Sequence, residues 1–327
     1  MKTRHTLTGA VFALCAMALA AAAPARAADA FPDRPIKIVV GFNAGSSSDV
    51  SARIIAAKIA EDMKASVLVE NKPGASSEIG ARYVASAAPD GYTLYLGTVA
   101  NCINYAAKSD GFTDLASGLE PIAEFGEVPL ILVATPSLAA HSVKDVIKLA
   151  KEKPGELSYA SAGSGTALHM AGELFSAMAG VQLLHVPYQG SARAMPDLLA
   201  GRTKIMFAPA STVVALIQEG KLRAIASTGL HRAAIMPDLP TLNEQGLPGF
   251  ESSVWAGLLG PKGLPPAVAK KLEKAILSAA SDPAVKAQFT KIGFDVTARN
   301  QADFTAYIKA ENKKWGKVIA DRQLKLH

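Results

Sequence analysis

The 327-residue chain carries 34 Lys and Arg against 28 Asp and Glu, a formal net charge of +6, and half of its residues are hydrophobic. That much apolar side chain over that length exceeds what one compact core usually fills, so two lobes are expected. The basic excess is spread out, with no Lys/Arg block of the kind that nucleic-acid binding needs.

The first residues read as a leader. Lys2, Arg4 and His5 precede an apolar stretch from Leu7 to Ala23, and Ala25-Arg26-Ala27 has the small-x-small form of a cleavage site. Residues 1–27 are therefore expected to be a removed signal peptide, and the mature chain to be periplasmic. Cutting there removes Lys2, Arg4 and Arg26 and no acid, which lowers the formal charge from +6 to +3. Cys15 follows Leu14 rather than the small residue that a lipoprotein cysteine requires, so lipidation is not expected. Cys102 is then left alone, without a partner for an intramolecular disulfide, and is expected to be a buried thiol. No later stretch is apolar for long enough to span a bilayer.

Beyond the leader, short apolar runs alternate with helical patterns. The runs predict strands at Ile36–Val40, Val67–Glu70, Thr93–Gly97, Leu130–Ala134, Leu157–Ala160, Leu183–Pro187, Ile205–Ala208, Leu222–Ser227 and Val254–Leu259. Ile55, Ile59 and Met63 mark one face of a helix, and Leu168, Ala171, Leu174, Phe175 and Met178 mark one face of another. Two more helices, over 265–279 and 302–321, close the chain. Strands separated by helices imply mostly parallel sheets that present ligands at the carboxyl ends of their strands. Glu120–Thr135 reads as a strand leaving one lobe for the other, and Phe250–Pro261 as the return. Lobe 1 is thus expected at 28–130 and 253–327, and lobe 2 at 131–252.

One loop type occurs twice, each time between an apolar strand and an amphipathic helix. The first copy is Gly41-Phe42-Asn43-Ala44-Gly45-Ser46-Ser47-Ser48-Asp49, and the second is Ser161-Ala162-Gly163-Ser164-Gly165-Thr166. A Gly/Ser turn at a helix start leaves backbone N–H groups unpartnered and points the positive end of the helix dipole outward, which suits a carboxylate or phosphate. A third hydroxyl-rich turn follows at Gly74-Ala75-Ser76-Ser77-Glu78-Ile79-Gly80. The first loop lacks the G-K-[ST] ending of a phosphate-binding P-loop and does not match G-x-G-x-x-G, so nucleotide binding is not expected. Ser164 lies between two glycines but lacks the G-x-S-x-G frame of a hydrolase nucleophile, and His169 stands early in the helix that follows. His141, His185, His231 and His327 are scattered singly, none at the spacing of a helical metal site.

The landmarks along the mature chain resemble those of the tripartite tricarboxylate transporter substrate-binding proteins, the periplasmic Bug family. They are Phe31-Pro32-Asp33-Arg34-Pro35-Ile36, the first glycine loop through Asp49, Val69-Glu70-Asn71-Lys72-Pro73-Gly74-Ala75, Ala88-Pro89-Asp90-Gly91-Tyr92-Thr93-Leu94 and Leu157 through Thr166. His185-Val186-Pro187-Tyr188-Gln189-Gly190-Ser191 follows, and Leu239-Pro240-Thr241 with Gly246-Leu247-Pro248-Gly249-Phe250 completes the set. The resemblance implies an α/β, two-lobed periplasmic binding protein fold (type II-like), each lobe a mostly parallel sheet flanked by helices, with the ligand cleft between lobes. It also implies that the loops Phe42–Ser48 and Ser161–Thr166 hold a carboxylate through backbone N–H groups and bridging waters.

Ligand-binding candidates are then Phe42, Asn43, Ala44, Gly45, Ser46 and Ser47 of the first loop, with Ser77 and Thr98 beside it. Ser161, Ser164, Gly165, Thr166 and His169 of the second, and Ala208, complete the set. The chain departs from the family pattern where it has Gly41 for a proline, Ser46 for a second glycine, Ser76-Ser77 for a Gly-Gly pair and Ala208 for an acidic residue. A pocket richer in hydroxyls and poorer in negative charge is expected to prefer an acid without an amino group. The resulting expectation is a monomeric periplasmic receptor that passes a small carboxylate to the membrane permease subunits of a tripartite transporter, with no cofactor, metal or catalysis. The alternatives are a ligand sensor signalling to a membrane kinase and an exported hydrolase using the same cleft.

Overall fold

The computed structural model describes residues 31–107 and 111–326, so the expected signal peptide at 1–27 lies outside the described residues. Strand β1 (Ile36–Val40) is followed by helix α1 (Ser47–Met63), β2 (Val67–Asn71), a single 3-10 turn at Ala75–Ser77, α2 (Glu78–Ala85), β3 (Thr93–Thr98) and α3 (Val99–Ala107). The 16-residue β4 (Leu119–Ala134) leads to α4 (Val143–Glu152), β5 (Ser158–Ser161), α5 (Ala167–Ala179), β6 (Leu184–Pro187), α6 (Ser191–Leu199), β7 (Ile205–Pro209), α7 (Ala210–Gln218) and β8 (Arg223–Ser227). The chain returns through β9 (Ser253–Pro261) to α8 (Pro266–Ser281), α9 (Pro283–Lys291) and the long α10 (Gln301–Asp321).

The strands run in the order β2-β1-β3-β9-β4-β7-β5-β6, with β8 also on β4. Pairs made by strands that cross back through a helix are parallel: β1 with β2 and β3, and β5 with β6 and β7. The antiparallel pairs all involve β4 or β9, the segments that carry the chain out and back. The sheet is therefore mixed where only its flanks are parallel. From Leu119 to Pro129, β4 pairs with β9; from Leu130 to Ala134 it pairs with β7 and β8. Bulges between Pro121 and Ala123 and between Glu124 and Gly126 bend it before that change of partner.

Local chemistry sets the helix ends. Ser46 caps α1 by accepting from the Asp49 N–H at 3.3 Å, and Lys64 ends it in the left-handed conformation, φ 51°. Thr166 and Asn300 cap α5 and α10 in the same way. On one face of the first strand group, Ile55 and Ile59 of α1, Leu272 and Ile276 of α8 and the Phe125–Phe289–Phe294 cluster bury against β1, β3 and β9. The other apolar cluster runs continuously from Tyr95 and Ile103 through Ile131 and Val133 to Tyr159, Phe175 and Phe207. Each such side chain contributes about 1.5–3 kcal/mol when fully removed from water. Cys102 is buried in this cluster, and burial pushes its thiol pKa well up. Helix α10 seals the crossing: Trp255 and Trp315 both donate their indole N–H to Glu311, at 3.2 and 2.9 Å.

Candidate ligand-binding cleft

The β1–α1 loop is held from below by Asp49. Its carboxylate accepts from the Gly45 N–H at 2.9 Å, from Arg53 Nε at 3.0 Å and from Asn71 Nδ2 at 2.9 Å. Burial alone would raise its pKa, but the bonds from Arg53, Gly45 and Asn71 outweigh it and hold the carboxyl below its usual range. Asn71 Nδ2 also donates to the Phe42 carbonyl at 3.0 Å, tying strand β2 to the loop. Gly45 sits at φ 81°, the left-handed region that favours glycine.

Facing this loop is a turn of three consecutive left-handed residues, Ala75 (φ 45°), Ser76 (φ 53°) and Ser77 (φ 74°). Side chains make this conformation costly, by roughly 1–2 kcal/mol each, so a network fixes it. Asn101 Nδ2 donates to Ser77 Oγ at 3.0 Å, Tyr95 Oη donates to the Ser77 carbonyl at 3.1 Å, and Asn104 Nδ2 donates to the Ser76 carbonyl at 3.1 Å. Burial pushes the Tyr95 phenol up to about 12, which keeps it a donor. The two departures Gly41 and Ser77 are in contact: a Cβ built at Gly41 would lie 2.5 Å from the Ser77 Cβ, and 2.9 and 3.0 Å from the Ser77 Cα and carbonyl oxygen. A residue larger than glycine at 41 therefore forces β1 or the 75–77 turn to shift, and most so when residue 77 carries a Cβ.

Across the cleft, Thr166 Oγ1 donates to the Gly163 carbonyl at 2.7 Å and accepts from the His169 N–H at 3.4 Å, closing the second loop onto α5. His169 is 4% exposed, and its Nδ1 accepts the Gly165 N–H at 3.0 Å. That bond places the ring proton on Nε2, which faces Glu173 Oε1 at 3.8 Å. Burial and the neighbouring His185, against a smaller pull from Glu173, push the His169 pKa down to about 4, so the ring is neutral and can accept. His185 stacks on it with ring centroids 3.9 Å apart and meets Ser161 Oγ at 2.7 Å. Tyr159 Oη donates to Glu173 at 2.7 Å, and Arg322, just past α10, donates to the same carboxylate at 2.9 Å.

Between the loops lies a cleft of about 430 Å³. Phe42, Ser164, Gly165 and Thr166 of the expected set line it, and so do Ser76 and Asn104. Its remaining walls are Ala75, Ala100, Phe112 and, from the C-terminal tail, Leu326. Ser161 and His169 lie beneath the second loop and shape it. Gly45 and Ser46 shape the first loop, whose Asn43, Ala44 and Ser47 are exposed and outside the lining. Ser77 is buried with its hydroxyl turned to Asn101. Thr98, at the carboxyl end of β3, is buried, and its Oγ1 has no hydrogen-bond partner among the described residues. Ala208 is fully buried in β7 opposite Ile131 and is not part of the lining. Gly163 and Gly165 are at φ 128° and 74°, so a side chain at either strains the loop before it meets a ligand.

The description "Tripartite tricarboxylate transporter family receptor" matches residues 51–324. The chain belongs to this family. Protein BugT of Bordetella pertussis is 32% identical to the receptor over 301 residues, 91% of this chain and 92% of BugT. The solved structure described as R. palustris Rpa4515 with adipate shares 32% identity with a TM-score of 0.74, covering 89% of this receptor and 97% of that chain. MatC from Rhodopseudomonas palustris, with bound malate, shares 28% identity with a TM-score of 0.71, covering 88% and 100%. The family is one of periplasmic solute-binding receptors, and no described helix of this receptor is long and apolar enough to cross a membrane.

The structure also brings a serine and a histidine together, though not Ser164 and His169. Ser161 and His185 meet, but Ser161 is fully buried and its hydroxyl also accepts the Gly163 N–H at 3.1 Å. In the sequence His185 is one of several scattered histidines, because nothing in the spacing announces that β5 and β6 pair Tyr159 with His185. Asn104 had a legible signal, lying one helical turn after Asn101 at the carboxyl end of β3. Phe112 and Leu326 had none.

Proposed function

We propose that this receptor, exported and freed of residues 1–27, captures a small carboxylate between its lobes and delivers it to permease subunits of a tripartite transporter. In this reading the lobes are 28–130 with 253–327, and 131–252, a division supported by the change of partners along β4 from β9 to β7 and β8. The observation that carries the reading is the α5 N-terminus, which opens through Ser164, Gly165 and Thr166 onto a 430 Å³ cleft lined, among the described residues, by neutral side chains. The Gly165 and Thr166 N–H groups are used within the loop, by His169 Nδ1 and the Gly163 carbonyl, so an anion there meets the positive end of the helix dipole and the Ser164 hydroxyl, and gains the Gly165 or Thr166 N–H only by displacing those bonds. Adipate and malate, held by two relatives at 32% and 28% identity, make carboxylates the first compounds to try. Phe42 and Ser164–Thr166 contact the ligand in this reading, while Ser161 and His169 hold the loop.

Thermal-shift and calorimetric titration of the mature chain with mono-, di- and tricarboxylates tests it. A ligand at about 100 times its dissociation constant stabilises the folded state by about 2.7 kcal/mol. The ligand should be recovered chemically unchanged after incubation. The absence of any shift across the panel, or turnover abolished by Ser161→Ala, would overturn the proposal.

A further inference from the structure

One of the backbone N–H groups at the cleft is held by a buried histidine. Gly165 lines the cleft, yet its N–H donates to His169 Nδ1 at 3.0 Å, and His169 is 4% exposed. An imidazole nitrogen accepts only while it carries no proton. A proton on Nδ1 turns that acceptor into a donor, ends the bond and releases the Gly165 N–H to the cleft.

The groups around the ring can accommodate that proton. Nε2 already faces Glu173 Oε1 at 3.8 Å, so an imidazolium keeps a carboxylate on that side. Glu173 also accepts from Tyr159 Oη of β5 at 2.7 Å and from Arg322, just past α10, at 2.9 Å. From β6 comes His185, its ring stacked at 3.9 Å and its Nε2 at 2.7 Å from Ser161 Oγ. Two stacked imidazolium rings repel each other, so the pair takes one proton before a second. Of the other elements packed on α5, β7 carries no titratable side chain, and α3 carries Cys102 and Tyr105. Glu311 of α10 is bonded to Trp255 and Trp315, Lys317 is paired with Asp321, and the tail adds Lys325. Burial and His185 hold the His169 pKa at about 4, so the loop is closed on a neutral ring at pH 7. An anion at Gly165 brings an opposite charge close to Nδ1, and a charge at about 4–6 Å raises such a pKa by about 1–3.

We propose that His169 is a positioning residue for the ligand: neutral, it withholds the Gly165 N–H; protonated, it yields it, so that carboxylate capture is coupled to uptake of a proton. This rests on the receptor reading above and deepens it. A group whose pKa is higher in the complex than in the free chain gains a proton on binding, and affinity then rises as pH falls. For a rise of about 2, the gain between pH 7 and pH 5 is about tenfold. Calorimetry of the mature chain with malate and with adipate at pH 7, 6 and 5, in two buffers of different ionisation heat, reads both the affinity and the proton. His169→Asn places an acceptor oxygen near the position of Nδ1 that does not titrate, and His169→Gln serves as a second variant. Protonation of the acid itself acts on all three proteins alike. The ratio of parent to variant affinity should therefore rise about tenfold from pH 7 to pH 5, and the variants should lack the extra proton. In the ligand-free parent, the Gly165 amide resonance should move and lose exchange protection as the His169 ring titrates. A Gly165 amide that stays in place while the ring titrates would overturn the proposal without any ligand. The same pH profile in the parent and both variants would overturn the coupling and leave the receptor reading standing. Failure of both acids to bind at any pH would overturn the coupling together with the carboxylate reading.

Discussion

Gly41 and Ser77 offer a direct test of how the cleft's floor is built. An alanine at 41 would place its Cβ 2.5 Å from the Ser77 Cβ, 2.9 Å from the Ser77 Cα and 3.0 Å from its carbonyl oxygen. Carbon atoms at rest stay about 3.5–4.0 Å apart, so β1 or the 75–77 turn must move. Overpacking of this kind costs about 1–3 kcal/mol. Ser77→Gly alone should be close to neutral, because two effects offset. It loses the bond from Asn101 Nδ2, worth about 1 kcal/mol, but relieves a left-handed side chain at φ 74°, worth a similar amount. Asn101 Nδ2 is not orphaned by the change, since it also reaches Tyr95 Oη at 3.0 Å. The double variant removes the 2.5 Å contact and leaves the two backbone contacts to a more pliable turn. Gly41→Ala should therefore cost at least about 1 kcal/mol less in the Ser77→Gly background than in the parent, a coupling that a double-mutant cycle resolves. Chemical unfolding followed by the fluorescence of Trp255 and Trp315, both fully buried, measures each corner of the cycle. An equal cost of Gly41→Ala in both backgrounds, or no cost in the parent, would refute the reasoning. Because Phe42 and Ser76 adjoin the pair and line the cleft, carboxylate affinity should follow the same coupling.

His169 gives a pH signature: its folded pKa of about 4 lies below the ordinary 6.5, so its contribution is complete above 6.5 and fades as pH falls toward 4. The loss approaches roughly 3 kcal/mol; it should show as the difference in stability slope between the parent and His169→Gln, whereas parallel slopes would count against a buried neutral ring. Raised carboxylates at Glu124, Glu127 and Asp295 act in the opposite sense, and the subtraction removes them. Arg322→Ala should destabilise the chain by roughly 2–4 kcal/mol by leaving Glu173 buried without its cation. Adding Glu173→Gln should restore part of that loss, and an unchanged melting temperature in Arg322→Ala would show that the tail does not anchor α5.

How far the sequence revealed this molecule depended on how local each signal was. The apolar runs and helix caps are local: eight of the nine expected strands form with ends shifted by at most two residues, Ile36–Val40 without any shift, while Leu130–Ala134 is the end of the 16-residue β4 that begins at Leu119. Glu120–Thr135 and Phe250–Pro261 were legible as long crossing segments because they are apolar over more residues than one flank strand needs. Their antiparallel pairing was not, since pairing partners depend on where a distant segment returns. The same division runs through the cleft. The glycines and hydroxyls of Ser161–Thr166 announce a helix start that can meet an anion, and the loop is found there. What surrounds an anion is set by tertiary placement: Phe112 comes from an irregular segment, and Leu326 from a tail that owes its position to Arg322 and a carboxylate 149 residues away in sequence. The departures from family pattern were each visible in the chain, but only the 2.5 Å separation shows that positions 41 and 77 touch. A pocket's anion end can thus be written in a short motif, because backbone N–H groups at a helix start need only local geometry. The rest of its lining cannot, because Phe42, Ser76, Asn104, Phe112 and Leu326 are brought together from segments distant in sequence. Under the proposed function, affinity should accordingly move with substitutions at Phe42, Asn104, Phe112 and Leu326 as well as at Ser164–Thr166.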